Sequence, residues 1–304
     1  MSFFVPEQHY GLFDDVTQRF RGLIRKQVIS SIDEIRLDAW LGNFVSDEDR
    51  YLAAHILNGL IFRSKAMIES SFDQLLQCVL PRQLRQWDCY SHKYIEDFLE
   101  SLRDGDVDHP LRFVAVDLAS ANDEPGKSGV HLIRQLRQHV RISKKLLCRP
   151  ENVAALPSTV KVLVFIDDIV GTGKQFAKFT KFHALEGQAV NRKLFFSPLI
   201  AYRDGVDKLS SAHPWLTIKA IEIFNSEHGF CCPCSSNPTL WALDEQNCVA
   251  DVRAHIQKIA QAGGIPKSTQ YGLDLLIGFE HATPNNTLPM LWADSDTWRP
   301  LFNR

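Results

Sequence analysis

The sequence predicts an α/β protein: a parallel sheet flanked by helices over residues 106–304, preceded by an α-helical region over residues 1–105. Three observations carry this. The first hundred residues hold apolar side chains at helical spacing. After Gly105, short apolar and β-branched runs alternate with helical patterns. Val160–Ile166 (V-K-V-L-V-F-I) is nearly all apolar, as expected of a strand buried on both faces of a parallel sheet.

The elements follow in order. Asp14-Asp15 suits the start of a helix carrying Val16, Phe20, Leu23, Ile24 and Val28. Ser46 with Asp49 three residues on is a capping-box pattern, opening a stripe of Leu52, Ile56, Leu57, Leu60 and Ile61. A third stripe (Ile68, Phe72, Leu75, Leu76 and Val79) is expected to end near Pro81. A fourth, with Ile95, Phe98, Leu99 and Leu102, is closed by Asp104-Gly105. Leu111–Leu118 then reads as a strand, followed by a polar loop and a helix with Leu132, Ile133, Leu136 and Val140. The Val160–Ile166 strand leads to a helix with Phe176, Phe179 and Phe182. Strands over Leu194–Tyr202 and Leu216–Phe224 come after it.

Composition sets bounds on function. The chain has 304 residues, 45% hydrophobic and 23% charged, the profile of an ordinary globular protein. A formal net charge of -2 is not that of a polyelectrolyte, so overall charge implies no nucleic-acid partner. No apolar run approaches the roughly 20 residues that span a bilayer. The start turns acidic at Glu7, too early for a signal peptide. Seven cysteines, an odd number, read as reduced thiols. These features predict a soluble, cytoplasmic protein with no membrane partner.

The sharpest signal is Val162–Gln175, V-L-V-F-I-D-D-I-V-G-T-G-K-Q. A buried strand delivers two carboxylates to its C-terminal edge, where open α/β sheets bind ligands. A glycine-rich turn then opens a helix, so that backbone amides and the helix dipole meet an anion. Vicinal hydroxyls suit Asp167 and Asp168, and a phosphate suits the amides and Thr172. An Asp pair merely capping a helix behind a glycine turn is the plain structural alternative.

This stretch resembles the phosphoribosyl-diphosphate motif of type I phosphoribosyltransferases. The resemblance implies a phosphoribosyltransferase-like sheet, with Asp167 and Asp168 on the ribose hydroxyls. Gly171, Thr172, Gly173, Lys174 and Gln175 would form the 5′-phosphate loop. Mg²⁺ would accompany phosphoribosyl diphosphate, with no metal ligated directly by protein. Gly171 stands where the family usually has a small hydroxyl residue or Ala, and Gln175 where Thr is common. The loop after the first strand holds pyrophosphate in that family, which singles out Lys127 and Ser128 in A-S-A-N-D-E-P-G-K-S-G. Arg149, with Lys144 and Lys145, lies between the next helix and strand and could reach the same group. That interval is short for the long lid of catalytic relatives.

The same loop supports a competing reading. Ala121–Ser128 is one substitution from a Walker A loop, and V-L-V-F-I-D-D could serve as Walker B, giving a nucleotide hydrolase. A solvated surface loop is the third account.

The tail, G-F-E-H-A-T-P-N-N-T-L-P-M-L-W, offers Phe279, His281 and Trp292 for stacking on a base, and Asn285 and Asn286 for reading its edge. Asn-Asn also suits a tight turn, and the aromatics could simply pack an arm on the sheet. With Trp40–Leu60 and Asp167–Lys174, the segment Thr283–Phe302 resembles phosphoribosyltransferase-like effectors of bacterial antiphage systems found beside retron reverse transcriptases. That resemblance implies a toxin-like effector acting on phosphoribosyl diphosphate or a nucleotide, with a reverse transcriptase and its RNA/DNA product as partner. A non-catalytic nucleotide sensor or partner-binding module is the alternative, and an oligomer is compatible with either.

His228, Cys231, Cys232 and Cys234, with Cys248 further on, invite a zinc reading, against which stands that of small buried thiols. Arg19, Arg21, Arg25 and Lys26 cluster on the first helix, as a solvated face or a nucleic-acid or partner surface.

Overall fold

A computed structural model describes residues 3–117, 128–231, 244, 246–267 and 272–303. In chain order the helices are α1 (Leu12–Arg25), α2 (Glu34–Leu41), α3 (Asp47–Asn58), α4 (Lys65–Gln74), α5 (Leu80–Gln86) and α6 (Ile95–Asp104). There follow α7 (Ser128–Val140), α8 (Lys174–Phe182), α9 (Leu185–Gln188), α10 (Arg203–Ala212) and α11 (Val249–Ala262). The strands are β1 (Ile61–Arg63), β2 (Leu111–Ala115), β3 (Leu147–Cys148) and β4 (Val162–Val170). Then come β5 (Lys193–Tyr202), β6 (Leu216–Ile218), β7 (Glu222–Phe224) and β8 (Ile277–Phe279).

The chain divides into two compact units, one of residues 1–65 with 225–304 and one of Ala66–Phe224. The boundary expected near residue 105 thus falls inside the second unit. The first unit joins the two ends of the sequence. Trp40, fully buried, donates from Nε1 to the Met290 carbonyl (2.7 Å), which also accepts from Trp298 Nε1 (3.2 Å). Asn43 and the Arg299 backbone exchange two further bonds. β1 pairs in parallel with β8, and at Gly278 an added Cβ would lie 2.6 Å from the Phe302 ring. The capping box at Ser46 and Asp49 starts α3 as expected. α1 ends at Arg25, so Val28 lies beyond it, exposed, while Val16, Phe20 and Ile24 are buried. On the same helix, Arg21 pairs with Glu34 and Asp38, and Arg25 with Glu34. The basic cluster is in large part a neutralised face.

The second unit carries the parallel sheet, in the order β3-β2-β4-β5-β6, with β7 beside the far end of β5. Every residue from Val162 to Asp168 is buried, which explains the continuous apolar run. Adjacent residues on β5 show both faces covered. Phe196 stacks on Phe176 of α8 at 3.6 Å, and Phe195 meets Trp87 just after α5 at 6.1 Å. Helices before β2 therefore cover one sheet face, which is why they belong to this unit. α4 does not stop at Pro81. It passes through a π-helical turn (Leu75–Val79) into α5, where Pro81 sits in the first turn and needs no N–H. Leu216–Phe224 is two short strands on successive parts of β5, and β3 falls in an interval read as loop.

Two glycines fix the loops at the sheet's C-terminal edge. At Gly205, in the first turn of α10, an added Cβ would lie 2.0 Å from the Gly171 carbonyl oxygen. At Gly129 it would lie 2.4 Å from the Val116 carbonyl oxygen. Gly205→Ala should therefore lower unfolding free energy by about 1–3 kcal/mol through overpacking. Gly187→Ala in α9, with nothing within 4 Å, should leave it unchanged or raise it by up to about 1 kcal/mol. Urea denaturation of the two variants checks both.

At the start of β2, Nδ1 of the buried His109 accepts the Leu111 N–H (3.2 Å), so the Nε2 proton goes to the Tyr90 hydroxyl (2.7 Å). Burial, then the nearby Arg112 guanidinium, push the His109 pKa down to about 4. Below the unfolded value of about 6.5 the unfolded chain takes up a proton that the folded chain refuses. Stability should thus fall by about 1–3 kcal/mol between pH 6.5 and pH 4. Denaturation across that range should show a shallower loss for His109→Gln than for the parent protein.

Candidate ligand site at the carboxyl end of the sheet

The sheet is wound in two directions. From β2 the chain passes through α7 outward to β3, and from β4 through α8 to β5 on the other side. Winding reverses between β2 and β4, and the crevice beyond their carboxyl ends is where such sheets take ligands. β2 pairs with β4 only as far as Ala115↔Ile166, whereas β5 follows β4 to Val170↔Ala201. Asp167 and Asp168 begin where the β2 ladder stops. The strand does not end at these acids, as the sequence suggested, but carries them two residues inside its C-terminus.

Both carboxylates are buried, Asp167 at 2% and Asp168 at 6% exposure. Each binds its own strand through Oδ1: Asp167 accepts from the Asp168 N–H (3.0 Å), and Asp168 from the Ile169 N–H (2.7 Å). Such local bonds fix the carboxylate orientations. The following turn is tight. Gly171 and Gly173 are buried, Thr172 half-buried, and Lys174 and Gln175 exposed. Gly173 takes the left-handed conformation (φ 78°) as the N-cap of α8, and no side chain caps the helix. The first amides of α8 thus have no intrahelical partner. Leu209 and the Gly205 carbonyl lie within 3 Å of where a Gly173 Cβ would be, so α10 braces the turn from behind.

The remaining candidates are distributed as follows. Lys127 lies outside the described residues, as do residues 121–126 of the Walker-like stretch, and Ser128 opens α7. Arg149 directly follows β3, exposed and 4.0 Å from Glu151. Because the strands are parallel, this puts Arg149 at the same edge as Asp167 and Asp168. Lys144 and Lys145 precede β3 and so belong to the opposite end of that strand. Asp117, half-buried just past β2, is a neighbour that sequence reading left inside a strand. His183, after α8, is held below the ordinary histidine range by burial. The Asp117 backbone and the Glu151 and Asp117 carboxylates pull it the other way. Gly205 was equally hidden, since its contact is with a residue 34 positions away (205 − 171).

The five residues considered for base recognition all belong to the first unit, and Asp167 and Asp168 to the second. Phe279 ends β8 and is buried, 5.4 Å from the half-buried His281 ring. Asn285 and Asn286 form a turn closed by the Thr287 N–H on the Pro284 carbonyl (3.0 Å). Asn286 is buried and Trp292 half-buried, its Nε1 donating to the Thr287 carbonyl (2.9 Å).

Cys231 is buried, and burial pushes its thiol up to about 12. Cys248 is exposed and donates to Asp251 (3.0 Å), while Cys232 and Cys234 lie outside the described residues. Among the described residues no group of three or more His, Cys, Asp or Glu side chains could hold a metal ion. None of their helices is long and apolar enough to cross a membrane.

Comparison with known proteins adds to this geometry. Among solved structures the chain is similar to an orotate phosphoribosyltransferase from Aeropyrum pernix, with 17% identity and a TM-score of 0.25. The match covers 42% of this chain and 67% of that one. The curated proteins gave no match. A family model, PRTase-CE, matches residues 37–304, a span holding the whole sheet, both acids and the tail. On that match, this chain belongs to the PRTase-CE family, a phosphoribosyltransferase-like group.

Proposed function

We propose that the crevice beyond β2 and β4 binds phosphoribosyl diphosphate or a nucleotide, and that the protein acts at the glycosidic carbon of that ligand. The observation that supports this is the buried Asp167–Asp168 pair, oriented at the sheet's winding reversal and followed by a braced Gly171–Gly173 turn. The acids accept hydrogen bonds from the ribose hydroxyls, and their negative charge favours positive charge developing on the ring as the bond to the leaving group lengthens. The amides from Gly171 to Gln175, with Thr172, hold the 5′-phosphate. Arg149 and Lys127 neutralise the pyrophosphate, and the Ser128 hydroxyl donates a hydrogen bond to it.

Mg²⁺ takes hard oxygen donors and is commonly bound with substrate phosphates and few carboxylates. The acid pair fits that preference in donor type. The ion would be held by the substrate's pyrophosphate and ribose hydroxyls, beside Asp167 and Asp168. When bound, it supplies charge to the departing group. A role as an antiphage effector governed by a reverse transcriptase and its RNA/DNA product is the biological setting we favour, on the sequence resemblance alone.

Calorimetric titration of phosphoribosyl diphosphate with Mg²⁺ tests the reading. Micromolar binding is expected, weakened at least tenfold in Asp167→Asn/Asp168→Asn. Heat from ATP alone, with none from phosphoribosyl diphosphate, would move the chemistry to the Lys127 loop and sink the proposal. Tight binding with no pyrophosphate release when water and a panel of nucleobases are offered as acceptors would make the protein a sensor.

A further inference from the structure

The second unit holds a cavity of about 190 Å³ between the end of α5 and the start of α6. We propose that it binds a planar aromatic ring bearing an anionic group, of the nucleoside-monophosphate kind. This site does not rest on the reading of Asp167 and Asp168.

Its walls are aromatic. Tyr90 and His92 stand 4.9 Å apart at 81°, and His92 and Phe98 5.9 Å apart at 59°. Rings set at such angles form a corner, and a flat ring entering it meets an edge on one side and a face on the other. Leu84 and Pro81 close the apolar side. The volume suits one nucleobase-sized ring and is too small for a drug-sized ligand.

The charge around it has one sign. Arg85 and Lys93 line the cavity, both exposed, and among the described residues no carboxylate lines it. Lys93 Nζ sits 5.1 Å from the ring centroid of Tyr94, which is 56% exposed at the rim. An anionic substituent on the ligand would meet these two cations. Tyr90 adds a directed proton. Because His109 gives its Nε2 proton to the Tyr90 oxygen, the hydroxyl's own proton is left to donate to an acceptor such as a ring nitrogen.

The backbone here departs from regular geometry twice. Gln77 reaches the wall from the π-helical turn. Asp88 (φ 49°) is the ordinary left-handed end of α5, its N–H on the Arg85 carbonyl (3.1 Å) and the Cys89 N–H on the Leu84 carbonyl (3.0 Å), whereas Tyr90 (φ 48°) is a bulky residue in the left-handed region. π-turns and such strained residues both concentrate where side chains are held for function. Tyr90, the residue that carries both ring and hydroxyl, is the one that holds the costly conformation.

The test is calorimetric titration of AMP into Asp167→Asn/Asp168→Asn protein, which silences the crevice at the sheet edge. Binding is expected to persist there, and to weaken at least tenfold on adding Lys93→Ala and Tyr94→Ala. Inorganic phosphate should compete poorly. No AMP binding in that background, or binding untouched by the two cavity substitutions, would overturn the proposal. Phosphate competing as well as AMP would overturn it too, since the ring would then contribute nothing. Should the quadruple variant fail to fold, photocrosslinking of 8-azido-AMP to the wild-type chain decides. Adducts within residues 77–98 are expected, and adducts only elsewhere would refute the site.

Discussion

β4 is paired with β5 to its last residue but with β2 over only its first five. The candidate site depends on this inequality. A parallel strand held on both sides has no free backbone for a ligand. One released on a single side keeps its rigidity through the other and leaves backbone there outside the ladder. The release begins at Asp167, so the two acids stand on a strand still anchored by β5 and past the last residue that pairs with β2. The brace from α10 extends the same logic to the turn: Gly205 lets that helix touch the Gly171 carbonyl and holds the loop at the strand's exit.

The sheet's central strands and the motif were legible because burial on both faces writes itself into sequence as an unbroken apolar run, and because glycine spacing reports a turn directly. Other parts left no such mark. β3 is two residues long and has no period to detect. α2, with eight residues and only Leu37 and Trp40 buried, shows no repeating stripe. The gap between β6 and β7 interrupts what reads as one strand. Gly205 and Gly129 matter only through contacts made in three dimensions, and a single sequence does not carry those.

The largest departure concerns which segments belong together. Trp40 and Met290 are 250 residues apart and share a hydrogen bond of 2.7 Å. Periodicity is local and cannot announce such a pairing. Two of the three segments behind the resemblance, Trp40–Leu60 and Thr283–Phe302, lie in this same unit. The aromatics and amides of the tail therefore have structural work there. Trp298 is buried beside Phe44, and Trp292 is tied to the Thr287 carbonyl.

The split first unit also bears on the order of synthesis. Its two halves are separated by the entire sheet-bearing unit, so a growing chain carries residues 1–65 unmatched until residues 225–304 have emerged. The sheet unit is continuous and has all its strands once Phe224 is made. Domains tend to fold as they become available during translation. The acid pair and its glycine turn can therefore be assembled while α1–α3 still wait for their partners. A ribosome stalled late in the message would display the crevice at the sheet edge without the finished companion unit.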